Sequence, residues 1–407
     1  MPLVEAIRYH WTSSRDIYKG LILSKLKMQI NEESTIVNDS VREFHLWDVP
    51  DNLFILLNKE ANGKFFKRMY SIFGTQQEFA KFLGLWRQEV NKYHKQILKA
   101  NGRYYPVYFP LRLFKKCLHI LDKEFLCYLE QNVSEIRVNV GLSICNPKLP
   151  IKESEEVYRI VAHMIADGSA SKGKTPYYAN TCKELREQFK KDLKIFGNMK
   201  IYDRMPRAVE LVYFPKVVTD ILAYLFDIQF TYPNRLPKLI SNADKKFKKV
   251  FLQALFDDEG SISTGLTIGI HDINIMEEIK LLINSLDIKT SKVMVHPYTH
   301  KKDKVYLQIL RSQYKKFQQE IGFSHPEKAK RLELSIRTQN RIQRTRNPNY
   351  IEQEVLKFLD YKPSPTMDIA NHLLLTNQGL MPHLNRMLEE SLIIKKGYKN
   401  KVIWDLT

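Results

Sequence analysis

Phe251-Leu-Gln-Ala-Leu-Phe-Asp-Asp-Glu-Gly-Ser-Ile262 is an apolar run that ends in acids, a Gly and a Ser. Ninety-two positions earlier, Arg159-Ile-Val-Ala-His-Met-Ile-Ala-Asp-Gly-Ser-Ala170 has the same design. Each run sets a small or short residue four positions from another: Ala162 and Ala166 in one, Ala254 and Asp258 in the other. Residues four apart share a helix face, and alanine there lets two helix backbones approach closely. The acid that follows, Asp167 or Glu259, then emerges where the helix unwinds at Gly168 or Gly260. If the two helices pack against each other, their ends bring Asp167 and Glu259 together. Two carboxylates at one place repel unless a cation lies between them, and oxygen ligands suit Mg²⁺.

The flanks repeat as well. Ser154, with Glu155 and Glu156 after it, starts the first helix, which turns Val157, Ile160, Val161 and Met164 inward. A polar, basic, extended stretch (Ser169–Asn180, with Lys172, Lys174, Tyr177 and Tyr178) leads to a helix over Cys182–Phe196. Strands over Met199–Met205 and Ala208–Phe214 and a helix over Lys216–Phe226 complete the unit. After Glu259 the order recurs: strands around Ile262–His271, helix Ile273–Leu286, strands Lys292–Tyr298 and Lys304–Leu310, helix Gln313–Ile321. Both copies read αββαββα, and a unit that cannot close its own core packs against its copy. The expected fold is therefore α+β, a pseudo-twofold dimer on one chain whose two four-stranded sheets form a curved basic saddle.

These two runs and their flanks resemble the two signature helices of a single-chain LAGLIDADG homing endonuclease, over roughly Ser154 to Leu334. The first run has Ile165 where the family often has its first Asp, and Ala162 and Ala254 stand at the family's Gly position. The resemblance implies a saddle seated in the major groove of double-stranded DNA, on a long asymmetric target, with Lys172 and Lys174 among its contacts. It implies Mg²⁺-dependent phosphodiester hydrolysis with Asp167 and Glu259 as the catalytic, metal-bridging pair. Metals held by carboxylates activate water, and a nearby cation offsets the charge that builds on phosphorus. One acid per half implies one cut per strand, hence a double-strand break. Ile321-Gly-Phe-Ser-His-Pro-Glu-Lys-Ala-Lys-Arg-Leu332 resembles the family segment that delivers a basic residue to the cleavage pocket, and the match selects Lys328. Lys216 and Arg311, at matching strand-to-helix corners, are further candidates for that task.

Composition agrees with a polyanionic partner: 407 residues carry a formal net charge of +19. The four cysteines (Cys117, Cys127, Cys145, Cys182) form no C-x-x-C pair, so reduced thiols and a reducing, cytoplasmic setting are expected. No apolar run has the length of a membrane span, so no membrane partner is expected, and the pseudo-dimer implies a monomer. Without a Cys or Ser start and a His-Asn end, the chain is not expected to be a whole self-splicing intein.

Five segments are expected: an N-terminal region (1–150), repeat one (151–245), repeat two (246–335), a basic linker (336–349) and a C-terminal module (350–407). Within the first, Gly74 to Lys95 has helix-turn-helix spacing. Thr75 and Glu78 suit a capping box, Phe79, Ala80 and Leu83 face inward, and Gly84 suits a turn. The following helix from Trp86 would turn Val90 inward and present Arg87, Gln88, Asn91 and Lys92, residue types able to contact bases and phosphates. An ordinary helical hairpin has the same spacing. A further amphipathic helix is expected over Trp11–Lys27, and another over Leu111–Glu130. From Lys328 to Arg346 there are seven Lys or Arg against one acid, which reads as a phosphate-contacting linker or a solvated helix face. Tyr350 to Thr407 reads as a winged helix: helices over Ile351–Leu359, Thr366–Leu374 and Leu380–Glu390, then a hairpin with a basic tip (Lys395–Lys401). Such modules bind DNA or dock proteins.

Two other functions fit the pattern. The Gram-positive sporulation regulators resemble this endonuclease fold joined to a helix-turn-helix and bind DNA without cutting. An RNA-splicing maturase would use the same saddle on intron RNA. The retention of both acids favours the nuclease; the two flanking modules favour the regulator.

Overall fold

A computed structural model describes residues 41–407 apart from 101–102, 172, 206–208, 264, 297–303, 340–347, 374, 376 and 398–401. The expected Trp11–Lys27 helix, Lys172, the latter half of the basic linker and the tip of the C-terminal hairpin lie outside the described residues. The chain divides at Arg42, and the unit from Glu43 onward holds the elements below.

The first elements are β1 (Glu43–Phe44), β2 (Phe54–Leu57), α1 (Lys59–Phe73), α2 (Gln76–Leu83) and α3 (Arg87–Lys95). The hairpin β3 (Ile97–Ala100) and β4 (Arg103–Pro106) follows, then β5 (Phe109–Pro110), α4 (Leu111–Lys116), α5 (Lys123–Gln131), β6 (Val133–Arg137), β7 (Ile144–Cys145) and β8 (Ile151–Lys152). Thr75 caps α2, its Oγ1 accepting from the Glu78 N–H at 3.1 Å, and Gly84 ends it in the left-handed region. The Glu78 carboxylate pairs with Lys81. The single helix expected over Leu111–Glu130 is two helices. Asp122 interrupts it: its carboxylate accepts from the Phe125 N–H at 2.8 Å and starts α5 afresh, so local capping overrides the continuing apolar pattern.

Next come α6 (Glu155–Ala166), β9 (Gly168–Ser169), β10 (Tyr177–Ala179), α7 (Lys183–Leu193), β11 (Asn198–Met199), β12 (Tyr202–Arg204), β13 (Leu211–Tyr213) and α8 (Lys216–Leu225). A short α9 (Lys238–Ser241) precedes α10 (Lys245–Glu259), β14 (Gly260–Ile262), β15 (Leu266–Ile270), α11 (Ile273–Asn284), β16 (Met294–His296), β17 (Lys304–Gln308) and α12 (Tyr314–Glu320). Helix α13 (Pro326–Gln339) closes the series.

The two four-stranded antiparallel sheets share one topology, with neighbours in the order β9-β10-β13-β12 and β14-β15-β17-β16. The strand expected over Met199–Met205 splits. Its second part is β12 of the first sheet, while its first part, β11, pairs with β7 and joins a five-stranded sheet with β6, β2 and β5. That pairing, together with β1 on β8, carries structure across the expected boundary at residue 150. One hydrophobic core accordingly runs from Phe44 to Leu332.

Helix α6 packs on α10 in the most extensive contact between any two elements. Ala162 and Ala254, both buried, leave room for it.

The C-terminal module comprises α14 (Pro348–Tyr361), β18 (Ser364–Pro365), α15 (Thr366–Leu373), α16 (Asn377–Glu389), β19 (Ile393–Lys396) and β20 (Ile403–Leu406). Its three strands order as β18-β20-β19 over a separate core. Trp404 anchors it, buried and donating its indole N–H to Thr366 Oγ1 at 2.8 Å. All four cysteines are free thiols, and burial pushes the Cys117 thiol up to about 12, which keeps it protonated and inert. Among the described residues no helix is long and apolar enough to cross a membrane.

Candidate active site

The C-terminal ends of α6 and α10 place Asp167 and Glu259 at the same end of the packed pair. Asp167 is the residue that closes α6, its N–H bonded to the His163 carbonyl at 3.0 Å. Neither Gly168 nor Gly260 adopts a positive φ; Gly260 is extended (φ −76°, ψ 150°). What demands glycine here is space. A Cβ on Gly168 would strike the Met164 backbone, and one on Gly260 would strike the Phe256 carbonyl. The chain leaves each helix by folding directly back over its last turn.

Burial, then the negative charge of Asp258, raises the Asp167 carboxyl to about 6; His163, Lys328 and Asn180 act in the opposite direction. Lys328 lies within electrostatic reach of Asp257, Asp258, Asp167 and Glu259, yet burial outweighs their pull and holds its ammonium below the usual lysine range. The acids of both helices and Lys328 are thereby assembled at one place.

Lys328 has a definite occupation there. Its Nζ donates to the carbonyls of Phe256 (3.2 Å), Asp257 (2.5 Å) and Asp258 (3.2 Å) in the last turn of α10, where the Phe256 carbonyl also accepts the Gly260 N–H. Asp257 reciprocates at the start of α13, accepting from the N–H groups of Ser324 (3.0 Å) and His325 (2.9 Å). Burial raises the Asp257 carboxyl to about 6 in spite of those two bonds. The two helix ends are clamped to each other.

Besides Asp257, four residues at the site were not singled out by sequence as its members. Asp258, a short residue expected only to allow close packing, has a side chain with no exposure. Its carboxylate accepts from Tyr178 OH (2.7 Å) and Asn180 Nδ2 (2.9 Å) and pairs with His163 Nδ1 at 2.7 Å. Burial works against a charged His163, but the Asp258 carboxylate prevails and holds the imidazole above the ordinary histidine value. His163 is packed, as its place in an apolar run suggests, and its ring also contacts Tyr178 and Phe189. The amide of Asn180 extends from Asp258 towards Asp167 Oδ2 at 3.5 Å. A buried acid on one helix facing a buried histidine on the other joins the two halves of the molecule through charge. The available signal was Asp258 itself, an acid in a helix interface, which requires a partner.

Lys216 is engaged elsewhere: it pairs with Asp220, which also accepts from Asn52 Nδ2 at 3.2 Å. Arg311 is exposed in the 3₁₀ turn Arg311–Gln313, and Lys174 is exposed in the connection before β10. On α3, Arg87, Gln88 and Lys92 are exposed and Asn91 is half-buried, while Val90 is buried as expected. Arg87 Nε donates to Gln76 Oε1 at 3.3 Å, linking α3 to α2. Trp86, just before α3, is 80 % exposed.

Among the described residues no group of three or more His, Cys, Asp and Glu converges on a metal cage. Asp167 and Glu259, the acids at the ends of α6 and α10, are the residues that would hold a cation. Such a set suits Mg²⁺, which commonly takes one or two carboxylates and completes its shell with water and substrate phosphate.

No family model matches the chain, and no curated protein sequence matches it. Solved structures do show similarity. The homing endonuclease I-DmoI in complex with DNA and Ca aligns over 44% of this chain and 97% of its own, at 17% identity and a TM-score of 0.33. I-WcaI, a homing endonuclease bound to its DNA recognition sequence, aligns over 44% of this chain and 86% of its own, at 15% identity and a TM-score of 0.32. Full-length DUF199/WhiA from Thermatoga maritima aligns over 58% of this chain and 90% of its own, at 14% identity and a TM-score of 0.31.

Proposed function

We propose that the chain binds double-stranded DNA across its two four-stranded sheets, arranged as a pseudo-twofold LAGLIDADG-type saddle, and cleaves it by hydrolysis. The observation that carries this reading is that Asp167 and Glu259, one from each half, both act on the half-buried Lys328. Mg²⁺ held by Asp167, Glu259 and DNA phosphates would supply a water of lowered pKa and would neutralise charge. The protein's own residues set the stage. Asp258, neutralised by His163 and hydrogen-bonded by Tyr178 and Asn180, fixes α6 against α10 and so fixes the spacing of the acids. Asn180 orients Asp167. Lys328 adds positive charge where the pentavalent phosphate would form. Lys174, with Arg87, Gln88, Asn91 and Lys92 of α3, supplies contacts outside the centre. The net charge of +19 suits such a partner.

A second reading has one specific support. The Nζ of Lys328 already donates to three carbonyls, the full donor capacity of an ammonium. A lysine so occupied is a helix cap, and a protein that binds DNA without cutting needs no more of it. Incubation of the full chain with a randomised duplex library and Mg²⁺, followed by end sequencing, separates the two. The nuclease yields defined double-strand ends; Asp167→Asn and Glu259→Gln each yield nicks in one strand with binding retained. A footprint without breaks anywhere in the library would select the non-cleaving reading.

A further inference from the structure

The two sheets share a topology, and the glycines after the acids put them in common register: Gly168 pairs with Tyr178 and Gly260 with Ile268. The next row outward then corresponds. In the second sheet it holds Ser261, Thr267 and Gln308. In the first it holds Ser169, Tyr177, Tyr213 and Tyr202, three tyrosines on three adjacent strands. The rings of Tyr202 and Tyr213 are stacked, with centroids 5.3 Å apart and planes 6° from parallel, and Tyr177 lies 5.5 Å from Tyr213. The Arg204 guanidinium sits over both Tyr202 (5.3 Å) and Tyr213 (5.5 Å).

This row lies on the face away from the helices. Tyr178, the neighbour of Tyr177, is buried against Phe189 of α7, and Asp203, between Tyr202 and Arg204, pairs with Lys190 of α7. Strand alternation therefore turns Tyr177, Tyr202 and Arg204 outward. All three tyrosines are half-buried by one another, Arg204 is exposed, and β12 is the sheet's edge strand.

Base edges in a duplex groove are read by Arg, Lys, Asn and Gln, with Ser and Thr as adaptable partners, which describes the second row. A row of aromatic rings with a guanidinium on a sheet face suits bases that have left the stack. We propose that Tyr177, Tyr213, Tyr202 and Arg204 form a stacking surface for unpaired nucleobases, confined to the first half of the molecule. The inference rests on the nucleic-acid reading given above and deepens it: both sheets seat paired nucleic acid, and the first in addition receives the bases of a looped or opened segment. Cross-strand tyrosine pairs also stabilise sheets, and the test separates that role from this one.

The full chain is titrated by anisotropy, at one fixed salt concentration, with a perfect DNA duplex, the same duplex carrying a three-nucleotide bulge, and an RNA hairpin with a single-stranded loop. One stacked base is worth about five- to a hundredfold in affinity. The bulged duplex or the hairpin should therefore bind at least about tenfold tighter than the perfect duplex, and whichever gains more identifies the source of the unpaired bases. The double variant Tyr202→Leu/Tyr213→Leu should lose that preference, its affinity for the preferred probe falling at least about tenfold further than its affinity for the perfect duplex. Tyr202→Phe/Tyr213→Phe should keep the preference, because the rings remain. Three results overturn the inference alone: no preference in the parent, equal losses for the Phe and Leu variants, or equal weakening of all three probes. If the parent binds none of the probes, the nucleic-acid reading itself falls, and this inference with it.

Discussion

Replacing His163 with Leu tests whether charge joins the two halves. The His163 side chain is 2% exposed and its partner Asp258 is fully covered, so no water replaces the imidazole. Removing one member of a buried pair leaves an uncompensated charge and costs about 3–5 kcal/mol. Asp258 keeps two neutral donors, Tyr178 at 2.7 Å and Asn180 at 2.9 Å, which places the expectation near the lower end, about 3 kcal/mol. For the core that runs from Phe44 to Leu332 that corresponds to a fall in Tm of roughly 4–5 °C. The double variant His163→Leu/Asp258→Leu removes both charges and should be less destabilised than the sum of the single variants by about 2 kcal/mol or more. Asp258 supports the raised His163 value, so the sign with pH is fixed. The pair's contribution is complete below the ordinary histidine value and is lost as pH rises through the raised one. Denaturant unfolding at pH 6 and pH 9 measures both effects. A His163→Leu variant within about 0.5 kcal/mol of the parent at pH 6 would falsify the bridging role.

Other outcomes follow from the same geometry. Gly168→Ala or Gly260→Ala drives a methyl into backbone, which cannot swing aside, so each should lower stability by several kcal/mol in a thermal melt, on the order of a badly overpacked core. Asp167 and Asp257 are both raised to about 6, so the folded state binds protons more tightly and stability declines as pH rises from about 4 through 6. For Asp167 that displacement is worth at most about 3 kcal/mol, and partial exposure cuts it to about 1–2 kcal/mol. Asp167→Asn should then be the more stable protein at pH 8, and a variant no more stable than the parent there would count against the burial argument. Duplex affinity should fall steeply with salt, with a log–log slope on the order of −6 or steeper for several neutralised phosphates; a flat dependence excludes the electrostatic interface.

The α+β class and the packing of α6 on α10 were legible because two apolar runs with the same ending cannot be mistaken for loops. The Phe79, Ala80, Leu83 and Val90 positions of α2 and α3 were legible for the same reason, since period fixes which face is buried. What escaped reading was settled by partners distant in sequence. Asp122 and Phe125 broke a helix whose apolar pattern ran on, because a cap is a local hydrogen bond and hydropathy does not register it. β11 left its expected sheet for β7, a strand some fifty positions earlier. Asp258 was read by size alone, and its chemistry became visible only when His163 and Asn180 arrived from the other half. The capping use of Lys328 was likewise hidden, because a resemblance assigns a residue to a place without saying which atoms it touches there.

The clamp between α10 and α13 has a consequence for the order in which the chain is made. The last turn of α10 presents three carbonyls to Lys328, and Asp257 awaits the N–H groups of Ser324 and His325. A chain leaves the ribosome from its N-terminus, at about 5–20 residues per second. Glu259 is therefore synthesised several seconds before the residues that fasten the helix carrying it. Asp167 is made earlier still and can settle against β9 and β10, yet it has no opposite acid in place until that later segment emerges. Assembly of the acidic centre is thus scheduled by the segment around residue 328, and a nascent or truncated chain that stops before Ser324 holds both acids without the fastening that sets them.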